Sequence, residues 1–180
     1  MLCNKYGIRE YAALRRLEQD IVGAKQHYLL DHPIPGRFTA THLCNIHRFL
    51  FEDVYPFAGR FRLETIRKGE TTFENEKVIP EKLHKLLAEL KQDKYLADLS
   101  YEDFIQRLAY YFAELNYIHP FREGNGRATR EFIRLLVLHS GYTVNWVAVS
   151  VDSLMDAMVE SVYKPEPLAH VLGICITKNK

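Results

Sequence analysis

Apolar side chains recur every three or four positions through most of the chain, the spacing that places them on one face of an α-helix. This spacing predicts one helix around each of the three apolar series given below, and two further helices from about 100 to 117 and from about 125 to 140. The fold class is therefore predicted to be mainly α, a helical bundle. The clearest apolar series are Leu14, Leu17, Ile21 and Val22, then Leu43, Ile46, His47 and Leu50, and then Leu83, Leu86, Leu87 and Leu90.

Residues that cap free backbone groups mark several ends of these helices. Serine and threonine side chains accept hydrogen bonds from the first amides, proline fits the first turn, and glycine commonly follows the last turn. Caps at these places support the helices that the apolar spacing predicts. The predicted caps are Thr39 or Thr41, Pro80, Ser100 paired with Asp103, and Gly141.

Residues 61–73, which we name the flap, depart from the helical pattern. Residues typical of strands lie on both sides of a tight turn that Gly69 can form, so a short β-hairpin is predicted. A lone hairpin buries little surface, so it either leans on the helices or offers a surface to a ligand. The strand residues are Phe61, Leu63, Thr65, Ile66, Thr71, Thr72 and Phe73.

Length and composition predict a single globular domain over residues 1–180. Hydrophobic residues make up 47% and charged residues 26%, and no apolar run reaches the roughly 18 residues of a membrane span. With 24 basic and 23 acidic residues, no overall field attracts nucleic acid or an anionic membrane. The start of the chain lacks the features of a secretory signal, so a cytoplasmic location is expected.

The spacing of cysteines and histidines argues against a disulfide framework and a zinc site. Cys3, Cys44 and Cys175 are odd in number and far apart, so three free thiols are expected. His42 and His47 are five positions apart, whereas zinc ligands on one helix face are four apart. These histidines are predicted to be packing or surface residues.

The strongest chemical signal lies where the last two predicted helices meet. Gly124 and Gly126 allow backbone amides to approach a ligand at the start of a helix, where unpaired N–H groups and the dipole attract anions. Arg127 and Arg130 lie within one turn of these glycines, although positive charges there oppose the dipole. A bound polyphosphate would remove that conflict. Arg134 shares their helical face, but an ion pair with nearby Glu131 on a solvated surface explains it more simply.

His119 and Glu123 stand just before this cradle, and both are expected to face the space above it. A histidine near neutral pH can take a proton from a hydroxyl, which suits a general base. A single carboxylate beside phosphates suits Mg²⁺, which keeps most of its waters. By itself His119 would more often be structural, and the cluster around it favours a catalytic role.

The run at 119–130, HPFREGNGRATR, resembles the Fic motif, His-x-Phe-x-(Asp/Glu)-Gly-Asn-Gly-(Arg/Lys)-x-x-Arg, at every specified position. Residues 57–62 and the rest of the flap are similar to the flap hairpin of that family, and residues 4–8 look like the opening of bacterial Fic toxins. The resemblance implies a Fic fold, a helical bundle with one short β-hairpin flap and a motif-bearing core at about 40–145.

The resemblance implies transfer of AMP from ATP to a Ser, Thr or Tyr hydroxyl of a target protein, with release of pyrophosphate. It implies His119 as the catalytic base and Glu123 as the Mg²⁺ ligand. Gly124, Asn125 and Gly126 would form the anion hole, with Asn125 also touching the α-phosphate. Arg127 and Arg130 would hold the β- and γ-phosphates, while Phe121 anchors the loop. Strand pairing of the target with the flap would involve Leu63, Glu64, Thr65, Ile66 and Lys68.

The resemblance also bears on regulation and on the donor. Gly126, where the Doc branch has a lysine, favours adenylyl over phosphoryl transfer. We find no match to the self-inhibition motif (Ser/Thr)-x-x-x-Glu-(Gly/Asn), whose glutamate would pair with Arg130. This absence resembles the toxin class that is restrained by a separate small antitoxin. Toxins of that class modify DNA gyrase and topoisomerase IV, which are therefore the expected targets.

Two alternative functions stay open at this stage. One is a non-catalytic regulatory module that binds nucleotide, and the other is a Fic enzyme that uses UTP, GTP or CDP-choline as the donor. Many such toxins carry further residues before Asn4, so this chain is either short or lacks its start. Contacts to the nucleotide base are therefore left open.

Overall fold

Seven α-helices, three short 3₁₀ helices and two pairs of short strands make up the regular structure of the described residues. The computed structural model describes residues 2–69 and 71–178, with only the backbone described for Lys68. The predicted mainly α fold class is confirmed. The helices are α1 Tyr11–Asp31, α2 Ala40–Phe51, α3 Ile79–Gln92, α4 Tyr101–Ile118, α5 Asn125–His139, α6 Val151–Glu160 and α7 Glu166–Cys175.

Most of the predicted capping residues occupy the positions expected of them. The Thr39 side chain, rather than that of Thr41, caps α2 by accepting from the His42 amide. The Ser100 hydroxyl caps α4 in the same way, and the predicted proline lies in the first turn of α3. Gly141 follows α5 with a φ of +83°, a left-handed conformation that suits a residue without a side chain. Local chemistry therefore sets these boundaries.

Helix α4 lies in the middle of the bundle, packed against α3, α5 and α7. Helix α2 packs against α1 and α5. Phe104 and Phe112 of α4, Leu43 of α2 and Phe132 of α5 are completely buried. Because α4 ends and α5 begins at this core, the segment that joins them is held between well-packed helices.

The flap contains a shorter hairpin than the sequence predicts. Strand β1, Arg67–Lys68, pairs with β2, Thr71–Thr72, in antiparallel register. The stretch from Leu63 to Ile66 was expected to form the first strand, but Leu63 to Thr65 lie outside this pairing, and only Ile66 O continues it by accepting from the Phe73 amide at 3.1 Å. Just before this stretch, the backbone N–H of Arg62 donates to Pro120 O (2.9 Å). The start of the flap therefore pairs with the α4–α5 segment.

A second strand pair was not predicted. Strand β3, Tyr142–Val144, pairs antiparallel with β4, Ile176–Lys178. Three residues in each strand are too few to show the alternation that marks a longer strand. The pair joins the segment after α5 to the end of α7.

Two other expectations can be compared with the structure. Cys3, Cys44 and Cys175 are free thiols, as predicted. Burial raises the pKa of the Cys44 thiol to about 11. Within the described part of the chain, no helix is both long and apolar enough to cross a membrane.

Candidate active site

The segment between α4 and α5 has a left-handed residue at each end. His119 directly follows α4 with a φ of +47°, and Gly124 directly precedes α5 with a φ of +78°. A left-handed conformation in a histidine costs roughly 1–2 kcal/mol, and strain of this kind clusters at functional sites. The chain turns sharply at both positions, which brings the start of α5 close to the end of α4.

His119 lies in a fixed orientation beside the flap. Its Nδ1 is 3.1 Å from Asn116 O, and because a carbonyl oxygen only accepts, Nδ1 carries the proton. In the neutral ring, Nε2 is then the nitrogen that can accept a proton. The ring of Phe73 stacks on the imidazole with centroids 3.7 Å apart, and His119 is only 5% exposed. The arrangement suits a base that is shielded from bulk water.

The residues predicted to form the anion hole have different roles in the structure. A side chain on Gly124 would place Cβ 2.2 Å from the Phe51 ring, whereas one on Gly126 would meet only the end of Arg130, at 3.3 Å. Asn125 is buried, and its amide group accepts from the Phe121 N–H and donates to Phe121 O, both at 2.7 Å. Asn125 thus closes the loop, and its contact with a phosphate stays a prediction.

Glu123 faces the cleft described below with a partly exposed carboxylate. One carboxylate oxygen accepts from the Gly124 amide at 2.8 Å and lies 3.7 Å from Nη2 of Arg127. No three histidine, cysteine or acidic side chains of the described residues are grouped so as to hold a metal ion. A single carboxylate beside a phosphate site fits Mg²⁺ that arrives with a polyphosphate, rather than a metal enclosed by protein ligands.

The two arginines of the cradle differ in their surroundings. Burial, and secondly the charge of Arg127, lowers the pKa of the Arg130 guanidinium. Arg130 forms no ion pair with any other residue in the described ranges. Arg127 pairs with Glu18 at 2.5 Å and lies over the Phe51 ring. A desolvated cation next to a second cation would be stabilised by a bound anion.

Glu18 is a site residue that the sequence reasoning missed. This buried glutamate of α1 pairs with Arg127 and accepts a hydrogen bond from the Tyr55 hydroxyl. Burial, and secondly that hydrogen bond, raises the pKa of Tyr55. The available signal was its position four residues from both Leu14 and Val22, on the apolar face of α1. The carboxylate of Glu18 therefore pairs with Arg127. It is distinct from the glutamate of the self-inhibition motif, which would pair with Arg130.

His47 was predicted to be a packing or surface residue, and it packs directly on the motif. Its Nε2 donates to Glu123 O at 2.8 Å, while its Nδ1 accepts from the Gly59 amide at 2.8 Å. Its ring also stacks on Phe121, with centroids 3.9 Å apart. Burial lowers the pKa of His47 to about 4, so the neutral ring is the form that holds the loop.

Arg134 forms the predicted ion pair with Glu131, with hydrogen bonds of 2.7 and 2.8 Å. Both side chains are buried rather than solvated, and Nη2 of Arg134 also donates to Leu29 O at 2.8 Å. Helix α1 covers this pair, which the sequence pattern could not indicate. Arg134 therefore stabilises the packing of α5 and does not face the cleft.

A cleft of about 910 Å³ opens above the start of α5, between α1 and α6. This volume lies within the range of small-molecule and cofactor sites. His119 is not among the residues that line this cleft, so its place beside Glu123 in the space above the cradle stays a prediction. Helices α1 and α6 contribute Tyr11, Val151 and Met155 to the walls, and the motif contributes Glu123, Gly124, Asn125, Gly126, Arg127 and Arg130.

The predicted target-docking residues are only partly accessible. Leu63 is 88% exposed, Glu64 and Thr65 are also exposed, and Ile66 points inward at 7% exposure. Glu64 forms an ion pair with Arg122 of the motif. The side chain of Lys68 lies outside the described residues, so its docking role stays a prediction.

Comparison with known proteins gives consistent results. The sequence model of the Fic/DOC family matches residues 37–137. Protein adenylyltransferase VbhT of Bartonella schoenbuchensis is 36% identical over 172 residues, covering 96% of this chain and 36% of that protein. The probable protein adenylyltransferase Fic of Salmonella typhimurium is 40% identical over 116 residues, covering 64% of this chain and 58% of that protein. The chain thus spans less than two thirds of these curated relatives.

Among solved structures, the BepC protein of Bartonella tribocorum is a close structural neighbour. It is 28% identical in sequence and superimposes with a TM-score of 0.92, covering 100% of this chain and 94% of that chain. The BepC crystal structure contains bound AMPPNP. The two chains therefore share their fold over the whole length compared.

Proposed function

Because the chain belongs to the Fic/DOC family, we propose that it transfers AMP from ATP to a Ser, Thr or Tyr hydroxyl of a target protein and releases pyrophosphate. The observation that carries the proposal is a cleft of nucleotide size whose floor is the start of α5, with the oriented imidazole of His119 one short loop away. The names of the adenylyltransferase relatives and the AMPPNP bound to BepC support ATP as the donor.

The start of α5 would bind the phosphates of the donor. Gly126 lines the cleft in the first turn of the helix, where amides lack partners within the helix, and Arg130 brings a desolvated charge beside Arg127. A polyphosphate between the two guanidinium groups would remove their mutual repulsion and complement the helix dipole. Arg127 would then exchange part of its contact with Glu18 for a phosphate oxygen.

His119 would act as the general base. As the target hydroxyl oxygen attacks the α-phosphorus, the hydroxyl proton passes to Nε2 of His119, while Nδ1 keeps its hydrogen bond to Asn116 O. The bond between the α-phosphorus and the bridging oxygen breaks, and pyrophosphate leaves with that oxygen. The hydrogen bond to Asn116 O and the stacked Phe73 ring hold the imidazole for this step.

Glu123 would hold Mg²⁺ that enters with ATP. Its carboxylate lies at the cleft and has one oxygen engaged by the Gly124 amide, which leaves the other oxygen for the cation. When bound, Mg²⁺ supplies positive charge that screens the phosphates. The ion would thus be part of the substrate complex.

The exposed stretch from Leu63 to Thr65 is the candidate docking surface for the target. Its backbone lies outside the hairpin pairing, so an extended target segment could add to it by strand pairing.

The same proposal includes restraint by a separate antitoxin, and it is supported by Arg130, which has no ion-pair partner within the described ranges. Purified DNA gyrase and topoisomerase IV are the first substrates to test.

Labelling with α-labelled ATP tests the transfer reaction. With Mg²⁺ and a cell lysate, the wild-type protein should label a protein band, and mass spectrometry should identify an added AMP. His119→Ala should label about 10²–10⁴-fold more slowly, while it keeps its affinity for AMPPNP, because His119 does not line the cleft. Equal labelling by the two proteins would contradict the assignment of the base.

Competition among donors separates the alternative enzymes. Unlabelled ATP should suppress the labelling, whereas UTP, GTP and CDP-choline at the same concentration should not. AMPPNP binding by the wild type without transfer to any lysate protein would instead favour a non-catalytic nucleotide-binding module.

A further inference from the structure

The last carbonyl groups of α4 lack partners within the helix because the chain turns away at His119. The flap and the residue that follows it supply partners. The Glu74 amide donates to Tyr117 O at 3.2 Å, and the Arg62 amide donates to Pro120 O at 2.9 Å. The start of the flap is therefore bonded to the segment just after α4, and the residue that follows the flap is bonded to the last turn of α4.

The side chain of Arg62 completes this cap. It is only 3% exposed, and it donates from Nε to His119 O at 2.8 Å and from Nη2 to Ile118 O at 3.3 Å. The same guanidinium donates to Glu64 O at 2.7 Å and to Glu74 O at 2.5 Å. One side chain thus connects two carbonyls at the end of α4 with one carbonyl in the flap and one directly after it.

The flap also contacts the imidazole directly. The ring of Phe73 stacks on that of His119 with an interplanar angle of 13°. Phe73 is covalently joined to Glu74, whose N–H and C=O are both engaged in the cap. Any shift of the flap therefore moves Phe73 relative to the imidazole.

Arginine is the side chain whose chemistry suits this junction. Its planar fork of donors reaches carbonyls in several directions, whereas lysine has one nitrogen at the end of a flexible stem. A positive charge at the end of a helix complements the dipole. Burial of the charge is costly unless it is hydrogen-bonded, and the four carbonyls around Arg62 meet that requirement.

We propose that Arg62 is a positioning residue, which sets the distance between a hydroxyl docked on the flap and the imidazole of His119. The inference rests on the proposed function, because it assigns Arg62 a part in the transfer step. Arg62 does not line the large cleft, so it acts on transfer rather than on ATP binding. A misplacement of about 1 Å between reacting groups can cost about a hundredfold in rate.

Amide hydrogen exchange on the wild-type protein tests the junction without any variant. The Arg62 and Glu74 amides should be protected to the same degree as the His119 amide, because their bonds to Pro120 O and Tyr117 O open only when the end of α4 and the residues directly after it move. Exchange of the Arg62 and Glu74 amides about a hundredfold faster than that of His119 would show that the flap moves independently and would overturn the inference.

The transfer rate of Arg62→Lys tests the positioning role. At saturating ATP, its initial rate of AMP transfer to lysate protein should fall about 10–100-fold, while its Kd for AMPPNP changes by less than about twofold. The matched control is Arg107→Lys. Arg107 lies on α4 and, like Arg62, forms several hydrogen bonds, in its case with Asp93, Glu89 and Tyr111. The control should lower Tm but leave the transfer rate per folded molecule unchanged.

A wild-type transfer rate in Arg62→Lys, or a loss explained entirely by weaker AMPPNP binding, would overturn the inference. If the wild-type protein labels nothing, the proposed function fails. The contact between the flap and His119 can then still be measured by NMR of the imidazole ring. The stacked Phe73 should shift the NMR signals of the imidazole protons upfield, and Arg62→Lys, but not Arg107→Lys, should reduce that shift. Unchanged signals in Arg62→Lys would count against the positioning role.

Discussion

His47 shows how one side chain can join separate segments of the site. It donates to Glu123 O within the motif and accepts from the Gly59 amide, which precedes the flap. The bond from the Gly59 amide requires the neutral ring, because a protonated Nδ1 could no longer accept. The low pKa of His47, about 4, follows from burial away from water.

The buried neutral His47 predicts a loss of stability in acid. Its pKa of 6.5 when exposed falls to about 4 in the fold, so as pH drops through this window the unfolded state takes up a proton that the folded state does not. The free energy of unfolding should fall by about 3 kcal/mol from this group. Urea unfolding of apo wild type and His47→Gln between pH 7 and about 4 measures the difference. Parallel pH profiles would contradict the assignment.

At the scale of elements, the start of α5 depends on two glycines for different reasons. Gly124 has a positive φ, and a Cβ there would meet the Phe51 ring of α2. Gly126 has no positive φ and lines the cleft, where a Cβ would meet only the flexible end of the Arg130 side chain, at 3.3 Å. The first glycine is thus required by the packing of α5 against α2, and the second leaves room for a ligand.

Alanine substitutions should separate these two roles. Gly124→Ala should lower the free energy of unfolding by about 2–4 kcal/mol, because it adds left-handed strain and a clash with Phe51. Gly126→Ala should change stability by less than about 1 kcal/mol, yet weaken AMPPNP binding about tenfold or more, because Cβ enters the phosphate path. Urea unfolding and calorimetric titration measure both quantities. Equal effects of the two substitutions on stability would contradict this division.

At the scale of the whole molecule, the cleft is assembled from elements far apart in the sequence. Its walls come from α1 and α6, and its floor comes from the start of α5. A ligand in the cleft contacts all three helices, so binding should stabilise the arrangement of the bundle. That residues 1–180 form one domain with a core at about 40–145 stays a prediction.

Nucleotide binding should therefore raise the thermal stability of the protein. AMPPNP with Mg²⁺ at about 100 times Kd should add about 2.7 kcal/mol, which corresponds to roughly 5–10 °C in Tm. Arg130→Gln should keep a near wild-type Tm without ligand, because Arg130 makes no ion pair with a described residue, but it should lose most of the shift. Thermal denaturation followed by circular dichroism measures this. An equal shift in both proteins would exclude Arg130 from the phosphate site.

The sequence by itself indicated α1 to α5 and the motif segment, because both depend on neighbours a few positions apart, whereas α6 and α7 were not among the predicted helices. Helical spacing and caps such as Thr39 and Ser100 act locally, and residues 119–130 place the proposed base and phosphate-binding groups in one continuous run. Short strands of two or three residues carry no such periodic signal, which is why the flap hairpin was placed too early and the β3–β4 pair was missed.

Only the tertiary structure decided which distant residues support that segment. Glu18, His47 and Arg62 come from α1, from α2 and from the flap, and each contacts the motif across a long stretch of chain. Contacts of this kind depend on how helices pack, so spacing along the chain does not reveal them. Packing also set the exposure of the site, since Phe73 covers His119 and α1 buries the ion pair of Glu131.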